Sequence, residues 1–423
     1  MTRIRGRRRM VSFSRFAQSV RTETAFDVLA AARRLKAQGK EVIELEIGDS
    51  PFPTSTSAIE AGIRAIRDDR CHYGPSAGLP EFRDAVARYM KREYRVDITA
   101  EQVVAGPGAK TFEQLFCEAF LDPGDRVLVF SPYFPTYPPN IARRGAVLET
   151  STLEQSRDFR PNLDDVARFV ASGPRARAVF LNSPHNPTGG LMTESDVRAI
   201  ADLVRGQDIA VFSDEPYDRM VWHGEHHTIL RQPGMFEQVV SAYTFSKSYS
   251  MSGWRLGFAV TSAPIAQLIA KLTNTCLSCV PPFTQLAGIA ALEHDDAERD
   301  ARMREFRDKV MRLVDALNRI EGVVCNRPGG TFYAFPNVRA VCERHRIRSH
   351  GLAMYLLEGA DDRMGVACLG GECFGEAGQG FLRLSCAEPD DRLLRAVDFM
   401  ADAFGRVDRI AAYLNANPKF RAA

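Results

Sequence analysis

What this chain does without narrows its reading first. None of its 423 residues form an apolar run long enough to cross a bilayer, and no signal core follows a basic leader, so a cytoplasmic protein with no membrane partner is expected. Neither sign of charge is in excess: 55 Lys and Arg meet 53 Asp and Glu, and no nucleic-acid partner is expected. Part of the small surplus sits in Arg3, Arg5, Arg7, Arg8 and Arg9, read as a disordered basic tail over residues 1–20 or a start upstream of Met10. Glu23 and Asp27 follow too soon for a transit helix. Cysteine is sparse and odd in number, nine in all, which is no disulfide framework; Cys276 and Cys279 lack a second pair at zinc-site spacing and read as reduced thiols. Histidine is scarce too, and His223, His226 and His227 after Trp222 read as a polar turn, with no metal site expected.

What is present is organised around Tyr243 to Phe258. An apolar run, Val239 to Phe245, breaks into Ser246-Lys247-Ser248, and Lys247 stands where a strand should end. In open α/β sheets ligands sit beyond the carboxyl ends of strands, which makes Lys247 the candidate nucleophile. Arg255 follows after Gly253-Trp254. An amine beside a guanidinium suits a ligand with a carbonyl and a fixed anion, and pyridoxal phosphate has both. Two further runs repeat the pattern: Ala178-Val179-Phe180-Leu181 ends in Asn182 to Gly189, and Ile209-Ala210-Val211-Phe212 ends in Ser213-Asp214-Glu215-Pro216-Tyr217. Continuous apolar runs suit strands covered on both faces, and the helical stretch Glu194 to Arg205 between them predicts a parallel crossover. Three polar clusters are therefore expected on one edge of one sheet.

Glycines precede a helix again at Gly106-Pro107-Gly108-Ala109-Lys110-Thr111, where free N–H groups and the positive dipole end favour a phosphate. Lys110 is odd there, because a cation in the first turn opposes the dipole unless an anion is near. Tyr133 or Phe134 could stack on a flat ring, Tyr73 stands in a glycine-rich turn, and Arg383 lies on an apolar strand where a charge needs a partner. After Pro281-Pro282 two long helices are expected, Phe283 to His294 and Ala297 to Ile320, the second leaving the sheet domain for a smaller one; Gly329 to Phe335 alternates like an antiparallel strand, and one last helix is expected from Asp391 to about Leu414. The expected units are an N-terminal arm with part of a small domain (21–60), a large cofactor-binding domain (61–295) and the rest of the small domain (296–423).

Tyr73-x-Pro-x-x-Gly, Asp-Pro-Gly-Asp, Ser-Pro-Tyr, Asn-Pro-Thr-Gly, Ser-Asp-Glu-x-Tyr, Ser-Lys, Gly-Trp-Arg-x-Gly and Arg-Leu-Ser occur in that order. From about Ala25 to the last helix the chain resembles the class I pyridoxal-phosphate aminotransferases of fold type I, most of all the bacterial aspartate aminotransferases. The resemblance implies an α/β fold: a large domain with a mainly parallel seven-stranded sheet, and a smaller α/β domain built from both chain ends. It implies that Lys247 bonds the cofactor, Asp214 pairs with the pyridine nitrogen, and Tyr217 and Asn186 bond the ring hydroxyl. Thr244, Arg255 and Gly108-Ala109 would hold phosphate, with Tyr73 reaching in from a second subunit of a homodimer; Phe134 would stack on the ring. Arg383 and the backbone of Gly48 would take the substrate α-carboxylate and Lys110 a distal one, giving transamination between an L-amino acid and a 2-oxo acid, of aspartate or glutamate type. The chain departs from the family at Gly48-Asp49-Ser50-Pro51-Phe52, at Phe134 in place of tryptophan and at Leu369-Gly370-Gly371, which leaves neutral or aromatic substrates, or a lyase or decarboxylase on the same fold, as alternatives.

Overall fold

The computed structural model describes residues 11–20 and 24–422, so the arginine run at residues 3–9 lies outside the described residues. Twelve strands follow in chain order: β1 (Glu41–Glu44), β2 (Val103–Gly106), β3 (Arg126–Ser131), β4 (Val147–Thr152), β5 (Ala176–Asn182), β6 (Ala210–Asp214), β7 (Val239–Thr244), β8 (Gly257–Val260), β9 (Tyr333–Ala334), β10 (Met364–Ala367), β11 (Leu369–Gly370) and β12 (Leu382–Ser385). Seven form one sheet in the order β2-β8-β7-β6-β5-β3-β4. Within it β8 alone runs antiparallel to both neighbours, and the rest are parallel.

The sheet is buried on both faces, as its unbroken apolar runs require. Alternate residues feed opposite cores: Ala178 and Phe180, Ala210 and Phe212 pack with Phe112 and Phe116 of the helix Ala109–Phe120. Val179, Leu181 and Val211 pack with Phe82, Val197 and Ala287 from helices on the other face. Phe116, Phe180 and Phe212 stand with ring centroids 5.1 to 5.4 Å apart beneath the carboxyl ends of β5 and β6. Each such ring contributes roughly 1.5 to 3 kcal/mol by burial, enough to fix the strand ends as a floor.

A second core gathers Ile43 and Leu45, the helix Asp296–Leu317, the three-stranded sheet β11-β12-β9 and the C-terminal helices. β1 pairs parallel with β10, so segments from near both chain ends share this smaller α/β unit. One expectation is corrected. The final helix breaks into Asp390–Gly405 and Val407–Ala416, because Arg406 leaves helical geometry at φ −83° and ψ 69°. His226 lies in the irregular segment expected there, and its side chain is 4% exposed with Nε2 2.6 Å from Glu215 Oε2. The short strands β4 and β8 were not anticipated; β4 is half exposed and β8 has four residues, too few for a periodic signal.

Candidate active site

In-register pairing sets Asn182 of β5 beside Asp214 of β6, and β7 ends next to them at Thr244. Over these ends lies a cavity of about 350 Å³ whose lining includes Gly48, Gly108, Ala109, Lys110, Phe134, Asn186, Asp214, Tyr217, Thr244, Lys247, Arg255 and Arg383. Residues far apart in sequence thus meet in one place. Tyr73 does not join them within the chain; it is 90% exposed and absent from that lining.

Lys247 leaves the sheet three residues past β7. Its Nζ donates to the Gly48 carbonyl at 2.6 Å, with the Tyr217 and Phe332 rings 5.9 and 5.7 Å away. Asp214 is 4% exposed and accepts from the Tyr137 hydroxyl at 2.6 Å. Burial pushes its carboxyl up to about 7; the Tyr137 bond opposes that rise, the Glu215 charge adds to it, and the Lys110 and Lys247 charges oppose it. One turn along from Lys110, Glu113 is 1% exposed and held by Thr136 and Asn140, its carboxyl raised well above the usual range by burial and then by the Asp214 charge. The Lys110 charge favours ionisation of both acids, and its Nζ also stands 5.2 Å from the Phe134 ring centroid.

At one end the lining becomes a cradle for an anion. Gly108 has φ +89°, and a Cβ there would come within 3.1 Å of Arg255 Nη2. A Cβ on Gly257 would come within 2.9 Å of Gly108 Cα. Two glycines thus let the backbone close on the guanidinium just where the helix Ala109–Phe120 begins with unsatisfied N–H groups. Thr244 Oγ1 lies 2.9 Å from Ser246 Oγ, and Ser246 and Ser252 also line the cavity. A cation, a helix N-terminus and hydroxyls are the donor set a phosphate needs, so the residues present fit pyridoxal phosphate: phosphate here, a ring nitrogen at Asp214, an aldehyde at Lys247.

The opposite end of the cavity holds a buried arginine. Arg383 is 4% exposed, its guanidinium carbon 4.3 Å from the Tyr333 ring centroid and 4.9 Å from that of Phe374. Its Nη2 donates to the Glu46 carbonyl at 2.5 Å and its Nη1 to Asn186 Oδ1 at 3.2 Å, while Nε is buried without a partner among the described residues. These partners are neutral, so the charge is left for a ligand. Behind Arg383, Glu46 is fully buried and neither carboxyl oxygen has a hydrogen-bond partner from another residue among the described residues; burial pushes the group up to about 7, opposed first by its own backbone N–H and then by the Arg383 charge. The Tyr333 and Tyr217 hydroxyls lie 3.2 Å apart. Gly48 packs so closely that a Cβ there would fall 1.7 Å from the Tyr333 hydroxyl oxygen.

Sequence reasoning passed over Tyr137, Glu113, Ser246, Tyr333 and Glu46. Ser246 stood beside Lys247 and Tyr333 in an alternating strand, which were usable signals. Tyr137 between prolines and Glu46 in an apolar run carried none, since only the fold shows what surrounds them.

A family model described as aminotransferase class I and II matches residues 40–399. A probable aspartate/prephenate aminotransferase of Aquifex aeolicus is 35% identical over 88% of this chain and 93% of its own length. The aspartate aminotransferase of Thermus thermophilus, solved with maleate, superposes with a TM-score of 0.85 at 30% identity, over 93% of this chain and 100% of that one. An aromatic aminotransferase of Pyrococcus horikoshii superposes with a TM-score of 0.81 at 30% identity, over 89% and 99%.

Proposed function

The chain belongs to the class I and II aminotransferases, and from that premise we propose that it is a pyridoxal-phosphate-dependent transaminase exchanging amino and oxo groups between an L-amino acid and a 2-oxo acid of aspartate or glutamate type. The observation that carries this reading is the convergence in one cavity of the Lys247 amine, the buried Asp214 carboxyl and the Gly108–Arg255 cradle.

Pyridoxal phosphate supplies a ring that accepts the electron pair left when a substrate Cα–H bond breaks. Thr244, Ser246, Arg255 and the N–H groups at Gly108-Ala109 would bind its phosphate, Phe134 would pack on the ring, and Asn186 and Tyr217 would donate to the ring hydroxyl. Asp214 would hold the proton on the ring nitrogen, where burial among apolar side chains strengthens the charge pair once both members are ionised. Arg383 would fix the substrate α-carboxylate, aided by the Gly48 backbone, so that Cα faces Lys247. The Lys247 amine would then be the base that takes the Cα proton and the acid that delivers it to the carbon that was the cofactor's aldehyde, so that the nitrogen stays behind when the 2-oxo acid departs. Tyr73, exposed and joined through the Gly74 N–H to Cys279 at the rim of an open hollow that also reaches Arg255, supports a homodimer in which Tyr73 of one copy completes the cradle of the other. Free cysteines support a cytoplasmic setting.

Neutral or aromatic substrates are favoured by two other observations: the Lys110 charge already acts on Glu113 and Asp214, and Phe26, Phe134 and Tyr333 give the cavity aromatic walls. Mixing purified protein and pyridoxal phosphate with a panel of amino donors and 2-oxo acids decides both points. A new amino acid formed in equal amount with a new 2-oxo acid is expected; carbonyl product or CO₂ without a new amino acid would make the protein a lyase or decarboxylase.

A further inference from the structure

The residue after Asp214 belongs to a network that the transamination residues do not use. Glu215 is 1% exposed and its carboxylate accepts from four donors. Ser213 and Thr228 donate to Oε1 at 2.8 and 3.1 Å, and Tyr243 and His226 Nε2 to Oε2 at 2.8 and 2.6 Å. A carboxylate only accepts, so the imidazole nitrogen facing it carries the hydrogen. The other nitrogen, His226 Nδ1, is buried without a partner among the described residues, which commits the ring to Glu215. Successive residues of an extended segment point to opposite sides; Asp214 lines the cavity and Glu215 turns away into the network. The Glu215 charge nevertheless acts on Asp214, opposing its ionisation.

We propose that His226 is a positioning residue that acts on Asp214 through Glu215: its Nε2–H holds the Glu215 carboxylate turned away from the cavity and draws its negative charge outward, leaving Asp214 free to be the ionised partner of a ring nitrogen. This rests on the pyridoxal-phosphate reading of the site. Other groups around the ring leave it this role. Asp218 is occupied by the hydroxyls of Tyr89 and Tyr94, at 3.0 and 2.6 Å, and Tyr94 meets the imidazole edge-on at 5.6 Å. His226 and Asp218 also line a hollow of about 440 Å³ outside the site cavity, where Arg95, Arg219 and Arg231 stand with Glu93 and Glu225, and the imidazole favours ionisation of Asp218 as well. Asp214 itself is faced by Tyr137, Glu113, Lys110 and Lys247, none of which touches His226.

The test follows the Asp214 carboxyl by carbon-13 NMR against pH in the full-length protein stripped of cofactor, and the absorbance of bound pyridoxal phosphate against pH in the loaded protein. His226→Phe is expected to raise the Asp214 midpoint by about one pH unit, and Glu215→Gln to lower it. In the double variant His226→Phe should no longer move it, and His226→Gln, which keeps a donor, should restore most of the wild-type value. The absorbance midpoint should move in the same sense. An unchanged Asp214 midpoint in His226→Phe, or a shift that persists without the Glu215 charge, would overturn the proposal. If the variants fail to fold, nitrogen-15 shifts of wild-type His226 decide, because an unprotonated Nε2 is incompatible with it. Failure to bind pyridoxal phosphate would count against the cofactor site, while the stripped-protein titration still judges His226.

Discussion

On the sheet side of the cavity the buried acids have donors: Tyr137 for Asp214, Thr136 and Asn140 for Glu113, four groups for Glu215. On the facing side, between β1 and Gly48, Glu46 is as deeply buried and has no donor from another residue among the described residues. The first wall is a floor of strand ends over interlocked phenylalanines, where donors from other elements oppose the rise that burial forces on Asp214 and Glu113. The second is a single crossing segment whose acid has only its own backbone and the Arg383 charge to oppose the same rise. Buried charge is costly unless paired, so acids on both walls should carry sensitivity to pH, and those of the sheet wall alone are held in place by bonded neighbours.

Removing the one amine that reaches from the sheet wall to the other should give the largest effect. Lys247→Ala is expected to lower turnover at least roughly a thousandfold, the scale of a lost general base, while pyridoxal phosphate stays bound without a covalent link. Steady-state rates, with retention of cofactor on a desalting column after borohydride treatment, would show it; covalent retention in the variant would assign the attachment to another lysine.

The facing wall is probed by Glu46→Gln. The folded group titrates at about 7 against an ordinary 4.5, so it binds more protons folded than unfolded between those values. The Glu46 contribution to stability therefore falls as pH rises from 4.5 to 7 and stays lower above. The variant should be more stable than wild type by about 2 to 3 kcal/mol at pH 8 and equal to it near pH 4.5. Denaturant melts at the two pH values test this, and a variant less stable at pH 8 would mean that Glu46 finds a partner in solution.

Lys110→Leu separates the two substrate readings. If Lys110 receives a distal carboxylate, kcat/KM for aspartate and glutamate should drop roughly tenfold to a hundredfold with alanine and phenylalanine unaffected. A uniform drop would tie Lys110 to the sheet-wall acids Glu113 and Asp214. The smallest effect is expected at Tyr73→Phe, which should weaken cofactor retention by about 0.5 to 1.5 kcal/mol, one hydrogen bond. Sedimentation of a fully active monomer would remove the basis for a shared site.

The same contrast separates what could be read from the chain from what could not. The polar clusters that carry Asn186, Asp214 and Lys247 were legible because each follows a continuous apolar run, and such runs in a covered sheet must end at one edge. Gly108 and Arg255 were legible from glycines before a helix and a guanidinium beside the lysine. Tyr137, Glu215 and Glu46 were not, because their roles depend on neighbours brought from other elements, and an acid in an apolar run looks alike whether bonded or orphaned. The turn around His226 was legible, but polar composition does not show the burial of one ring in it. The late helix break follows Gly405, a stop signal that the sequence carried and that the reading of one long helix passed over.

The approach of Gly48 to Tyr333 also constrains how this lineage can change. Any side chain at position 48 would collide with the Tyr333 hydroxyl, at 1.7 Å for the first carbon, and that hydroxyl stands against Tyr217 while its ring lies on Arg383. A single nucleotide change at the glycine codon therefore meets a dead end, passable only after Tyr333 has first become smaller. The two positions should behave as an epistatic pair, one silent until the other moves, and the mouth of the site should drift over generations in steps of two.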